Sequence, residues 1–173
     1  MGKKEILIPP VIIGAATLFG IVFMQFIPPP DPVNVCLKAH DVDTFNIYPR
    51  VQLFVDGSQY YLPADLGKQP KDNKECLRVI HSDSVGEMLH VQFVRPIKLS
   101  MAELMEIYSP DGETIRAVDN STGNALNKTL DLGNYDTYYS YYSENGAFTI
   151  VDNITKVPPF SNDFVGRINF TSK

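Results

Sequence analysis

The chain has 173 residues, with 15 Lys and Arg against 20 Asp and Glu, a formal net charge of −5 and 44% hydrophobic side chains. That length allows one ordinary domain and an appendage. The acidic balance excludes a nucleic-acid binder, which would concentrate basic charge.

Lys3 and Lys4 open the chain, and the run from Ile6 to Ile27 carries no charged side chain. A helix rises ~1.5 Å per residue and a bilayer core of ~30 Å needs about 20 apolar residues. Residues 6–27 are therefore expected to form one transmembrane helix. The lysines should hold residues 1–5 in the cytoplasm and send the rest outside. A cleaved signal peptide is the blander reading, but the run is longer than such a core and lacks a small-residue cleavage site. Gly14, Ala16 and Gly20 form a small-residue face that would let a second membrane helix approach; a helix facing only lipid is the alternative. These features place the protein in the cell membrane as a single-pass chain, with the bilayer and other membrane subunits as partners.

Residues 28–35 are rich in proline and read as a stiff extended spacer. Residues 36–173 are then one extracytoplasmic β-rich domain. Its two cysteines, Cys36 and Cys76, would pair in an oxidising compartment, closing a loop worth ~3–4 kcal/mol in the chain-entropy model. Free thiols or metal ligands are the alternative. Asn120, Asn127, Asn153 and Asn169 each begin an Asn-x-Ser/Thr sequon and are candidate glycosylation sites on surface loops.

Val51, Leu53 and Val55 alternate as in a half-buried strand, and Asp56-Gly57 is a strong hairpin turn. Residues 60–63 would return as its partner. Residues 67–75 are polar and read as a loop. Residues 76–80 read as a short strand, 81–87 as a loop, and 88–94 as a strand with His90 and Gln92 on the face opposite Leu89, Val91 and Phe93. Ser100 and Glu103 form a capping box ahead of Met101, Leu104, Met105 and Tyr108, which predicts a short helix ended by Pro110. Core packing explains its methionines better than copper does. Tyr138, Tyr139, Tyr141 and Tyr142 lie on a strand before an Asn145-Gly146 turn. Their rings suit a protein interface, or simply cross-strand pairing on an ordinary sheet. Residues 165–170 form the last predicted strand. The fold class expected is α+β: one N-terminal transmembrane helix plus a mainly antiparallel β ectodomain with one short helix.

From Cys36 to Tyr108 the chain resembles an uncharacterised family of membrane- or lipid-anchored extracytoplasmic domains of archaea and bacteria. The matching segments are Cys36, residues 46–57, 62–67, 76–83, 89–92 and 99–107. That family carries His-x-His before the first turn, then Cys-x-x-x-x-His-Thr-His-Asp and Ile-His-Val-Glu, a pattern like a metal site. This chain departs from it: Asn46 and Tyr48 replace the first histidine pair, Asp83 the second His of His-Thr-His, and Gln92 the Glu. The resemblance implies a degenerate site of His81, His90, Asp83 and, elsewhere, His40, suited to zinc or copper(II). Loop and sheet-surface side chains are the bland alternative.

No nucleophile elbow and no phosphate-binding glycine loop is present, so no enzyme activity is expected. The sequence favours a non-catalytic accessory subunit of a larger membrane complex, for example an archaeal respiratory or copper-dependent oxidase. The alternative is an extracytoplasmic domain that binds or delivers copper or zinc.

Overall fold

The first predicted hairpin, about the Asp56-Gly57 turn, forms one side of a five-stranded sheet. The structure, a computed structural model, describes residues 31–37, 45–71, 74–119 and 125–173. Among these the strands are β1 (Phe45–Ile47), β2 (Arg50–Val55), β3 (Ser58–Tyr60), β4 (Lys68–Lys71), β5 (Lys74–Leu77), β6 (Ile80–His81), β7 (His90–Phe93), β8 (Thr114–Asp119), β9 (Leu126–Asp131), β10 (Tyr135–Tyr142), β11 (Phe148–Val151) and β12 (Val165–Ser172). The helix α1 runs Met101–Tyr108.

Asp56 and Gly57 both have positive φ, 48° and 78°, as a two-residue primed turn demands. They join β2 to β3. The sheet has the order β11-β10-β12-β2-β3. Its pairs are antiparallel except β12 and β2, which run parallel with Ile168 opposite Leu53. One face of this sheet is core: Leu53, Val55, Ile168 and Phe170 are buried, and Tyr135, Tyr139 and Tyr141 pack against them. The other face carries Gln52, Phe54, Tyr138, Tyr142, Phe148, Ile150, Arg167 and Asn169, because side chains alternate along each strand.

The helix begins where the capping box places it. The Ser100 side chain accepts from the Ala102 N–H, and Glu103 Oε2 accepts from the Ser100 N–H at 2.7 Å. Met101, Leu104, Ile107 and Tyr108 are buried. The Tyr108 hydroxyl donates to the carbonyl of Arg116 on β8, and burial pushes its pKa upward.

The smaller sheet, ordered β1-β7-β6, is tied to the larger one where β2 begins. The Val51 N–H donates to the Glu87 carbonyl at 2.7 Å and the Leu89 N–H to the Pro49 carbonyl at 2.9 Å. The stretch expected to be a polar loop, 67–75, is instead mostly the hairpin β4–β5. Cys76 on β5 is bonded to Cys36. Pro32–Asn34 is a short 3-10 turn whose Val33 side chain joins the core; residues 28–30 of the expected spacer lie outside the described residues.

The expected fold class needs correction. Among the described residues the protein is mostly β-sheet with one helix, and no helix is long and apolar enough to cross a membrane. At eight residues, α1 reaches ~12 Å, well short of a ~30 Å bilayer core. The membrane and single-pass expectations find no support there. Residues 6–27, with Gly14, Ala16 and Gly20, lie outside the described residues, as do His40 and Asn120.

Candidate metal centre

His81 ends β6 and His90 begins β7, and the antiparallel register sets them directly opposite each other. Their ring centroids are 4.7 Å apart, tilted by 52°. Asp83 lies two residues past His81 and turns its carboxylate toward both rings. Oδ1 is 3.6 Å from His81 Nε2 and Oδ2 is 3.3 Å from His90 Nδ1. One ligand atom from each of the three residues falls within 4.8 Å of the others. The His81 side chain is fully buried and that of His90 is 10% exposed, whereas Asp83 is 56% exposed. The site is thus a buried pair of imidazoles with one carboxylate at its mouth.

Hydrogen bonds on the far side of each ring fix which nitrogen faces Asp83. His81 Nδ1 lies 3.0 Å from the Arg78 carbonyl oxygen, and His90 Nε2 lies 2.8 Å from Asn46 Oδ1. Both of those oxygens only accept, so each of these nitrogens carries the hydrogen. In the neutral imidazoles Nε2 of His81 and Nδ1 of His90 then hold lone pairs, and both point at an anionic carboxylate. Three electron-pair donors meeting at one place suit a shared cation. Bonds from the second ring nitrogen to a carbonyl or amide oxygen are the usual means of orienting a metal-ligating histidine.

The surrounding chain sets this geometry. Tyr48, just after β1, stacks on His90 with centroids 4.7 Å apart and planes 21° apart. The Ser82 N–H donates to the Leu66 carbonyl at 3.1 Å, and its hydroxyl donates to the Pro63 carbonyl. Those two bonds hold the 81–83 turn against residues 62–67. Lys68 reaches Asp83 at 3.8 Å, an exposed pair worth little by itself.

Gly67 lies directly beneath His81. Its φ is +73°, and a Cβ there would sit 2.2 Å from the Ile80 carbonyl oxygen and 2.8 Å from the His81 Cβ. Backbone at that distance cannot yield as a side-chain tip can. Gly67→Ala is expected to destabilise the fold by at least about 2 kcal/mol, from the left-handed conformation and the clash together. Urea denaturation would check this.

The structure brings together three of the four residues predicted for a metal, and His40 lies outside the described residues. Asn46, noted in the sequence only as a lost histidine, and Arg78, through its carbonyl, orient the two rings. The pairing of β1 with β7, which sets Asn46 opposite Gln92, has no local sequence signal. Gln92 is fully buried next along β7 from the site. Tyr138 and Tyr142 are 49% and 52% exposed on the outer face of the large sheet, while Tyr139 and Tyr141 face its core. Asn127 and Asn153 are exposed, and Asn169 is half-buried on the outer sheet face. Asn153 Oδ1 also accepts from the Thr155 N–H.

Comparison with known protein families, with curated proteins and with solved structures finds no match to this chain. The family resemblance drawn from the sequence therefore rests on its motifs alone.

Proposed function

We propose that this protein is a transition-metal-binding domain of an oxidising, extracytoplasmic compartment, with His81, Asp83 and His90 as ligands. The observation that carries this reading is the convergence of Nε2 of His81, Nδ1 of His90 and the Asp83 carboxylate within 4.8 Å, with the opposite nitrogen of each ring held by an oxygen acceptor. Two imidazoles and a carboxylate suit Zn²⁺ or Cu²⁺. Neighbouring ligands of a tetrahedral ion with bonds near 2.0 Å lie ~3.3 Å apart; each ring nitrogen is already 3.3–3.6 Å from one Asp83 oxygen, and the three ligand atoms, within 4.8 Å of one another, would draw together around an ion. Three protein ligands leave a fourth position for water or for a ligand exchanged with a donor or acceptor of the metal. The compartment is supported by the Cys36–Cys76 disulfide, since such bonds persist where thiols are oxidised.

Metal content after reconstitution tests this. Purified chain, stripped with a chelator and dialysed against Zn²⁺ or Cu²⁺, should retain about one ion per chain, and Asp83→Ala should retain far less. Retention below about a tenth of an equivalent of both metals would overturn the reading. The orienting role of Asn46 gives a separate expectation. Asn46→Ala should weaken binding by roughly 10–100-fold, while Asn46→Asp, which keeps the acceptor, should stay near wild type. Competition against a chromogenic chelator would measure both.

A second reading, a non-catalytic subunit held by contact with another protein, is favoured by one observation. Tyr138, Tyr142 and Ile150 are exposed together on the outer face of the large sheet.

A further inference from the structure

β11 is an edge strand of the five-stranded sheet. Its four residues, Phe148, Thr149, Ile150 and Val151, are all uncharged and include no proline. Edges of this kind are templates for another strand, and natural proteins usually blunt them with lysine, proline or a bulge. At 74% exposure, Ile150 is the most exposed large apolar side chain among the described residues.

The direction of the edge's polar groups follows from the hairpin. The Ser143 N–H donates to the Ala147 carbonyl at 2.9 Å. Hydrogen-bonded pairs alternate along an antiparallel ladder, so Tyr141 with Thr149 and Tyr139 with Val151 are the next bonded pairs in the observed register. Thr149 and Val151 therefore spend their backbone groups on β10. Phe148 and Ile150 turn theirs outward.

We infer that this edge pairs with β11 of a second copy of the chain, antiparallel and centred on Thr149. That register is chosen by two facts. It sets Phe148 of each copy opposite Ile150 of the other, so every outward N–H and C=O of both residues finds a partner, giving four bonds between the copies. It also pairs two apolar side chains on the same face, twice over. Phe148 is held in place for this: the Arg167 guanidinium lies 3.6 Å over its ring, and Tyr142 meets it edge-on at 5.5 Å. No charge meets a like charge across the two-fold, because the strand has none. The result is an isologous dimer with a continuous ten-stranded sheet. The contact is short, at the small end of interface sizes, so the pairing is a weak and reversible one.

Sedimentation equilibrium of the full chain, run from about 1 to about 300 µM, should show a shift from 19.4 kDa to twice that mass. Ile150→Lys and Ile150→Pro should each weaken dimerisation at least about tenfold, and the proline should leave the β10 ladder intact because the Ile150 N–H points away from it. Thr149→Cys faces its own copy across the two-fold and should cross-link on mild oxidation, whereas Asp136→Cys should not. A monomer throughout the range would overturn the inference. So would a dimer that survives both Ile150 changes and leaves Thr149→Cys unlinked, which would assign association to another surface.

Discussion

Replacing His90 with alanine is expected to lower the affinity for Zn²⁺ or Cu²⁺ by at least ~100-fold, since loss of a ligand exceeds the 10–100-fold cost of losing a residue that merely orients one. Asp83→Ala should produce a loss of similar size. The two variants fail for different reasons if the account is wrong. His90 is nearly buried, so its removal could act through packing against Tyr48 and His81. Asp83 is more than half exposed, and its removal leaves no cavity. A matched loss of affinity in both, with the thermal midpoint of Asp83→Ala unchanged, identifies coordination. Affinity retained in Asp83→Ala would remove the carboxylate from the ligand set.

Removing the disulfide should produce the largest change in stability. Cys36 and Cys76 close a loop across a separation of 40 residues, worth ~3–4 kcal/mol in the chain-entropy model. The Cys36→Ser/Cys76→Ser double variant should therefore melt ~6–16 °C lower, at ~2–4 °C per kcal/mol for a domain of this size. The bond also carries local structure. Beside it the Leu37 N–H donates to the Leu77 carbonyl at 2.8 Å, and the Arg78 guanidinium donates to the Val33 carbonyl at 3.3 Å. The segment 32–37 is thus tied to the strand that leads into the His81 turn. Circular dichroism on heating would measure the shift, and a midpoint within about 1 °C of wild type would contradict it.

The parts of the fold legible in the sequence are those fixed by neighbouring residues. Ser100 and Glu103 cap α1 because both partners of the box lie within one turn. Asp56-Gly57 makes its hairpin because few residues tolerate positive φ. The Asn145-Gly146 turn follows the same rule, with Gly146 at φ 76°. Pairings distant in sequence left no such mark. The parallel match of β12 with β2 joins Arg167 to Gln52, residues 115 apart, by a side-chain bond of 2.7 Å. The hairpin β4–β5 is too polar to show strand alternation. β9 is exposed at every position but Leu130, so it shows none either.

The candidate site divides in the same way. His81 and Asp83 are two apart and were visible together, but their meeting with His90 depends on the register of β6 with β7. The alternation along this stretch sets His90 and Gln92 on the face opposite Leu89, Val91 and Phe93. It gave no sign that both faces would be covered: β7 is the middle strand of its sheet, and His90, Gln92, Leu89 and Val91 are all buried. Asn46 and Tyr48 looked like losses from a metal pattern. In the folded chain they orient and stack on His90, which is a supporting role that local sequence could not reveal.

The most direct test of the metal centre is long-range ¹H–¹⁵N correlation of the histidine side chains, recorded with and without one equivalent of Zn²⁺. The account predicts that zinc shifts Nε2 of His81 and Nδ1 of His90, while Nδ1 of His81 and Nε2 of His90 remain protonated toward the Arg78 carbonyl and Asn46. Zinc bound through the opposite nitrogen of either ring, or spectra unchanged by zinc, would contradict it.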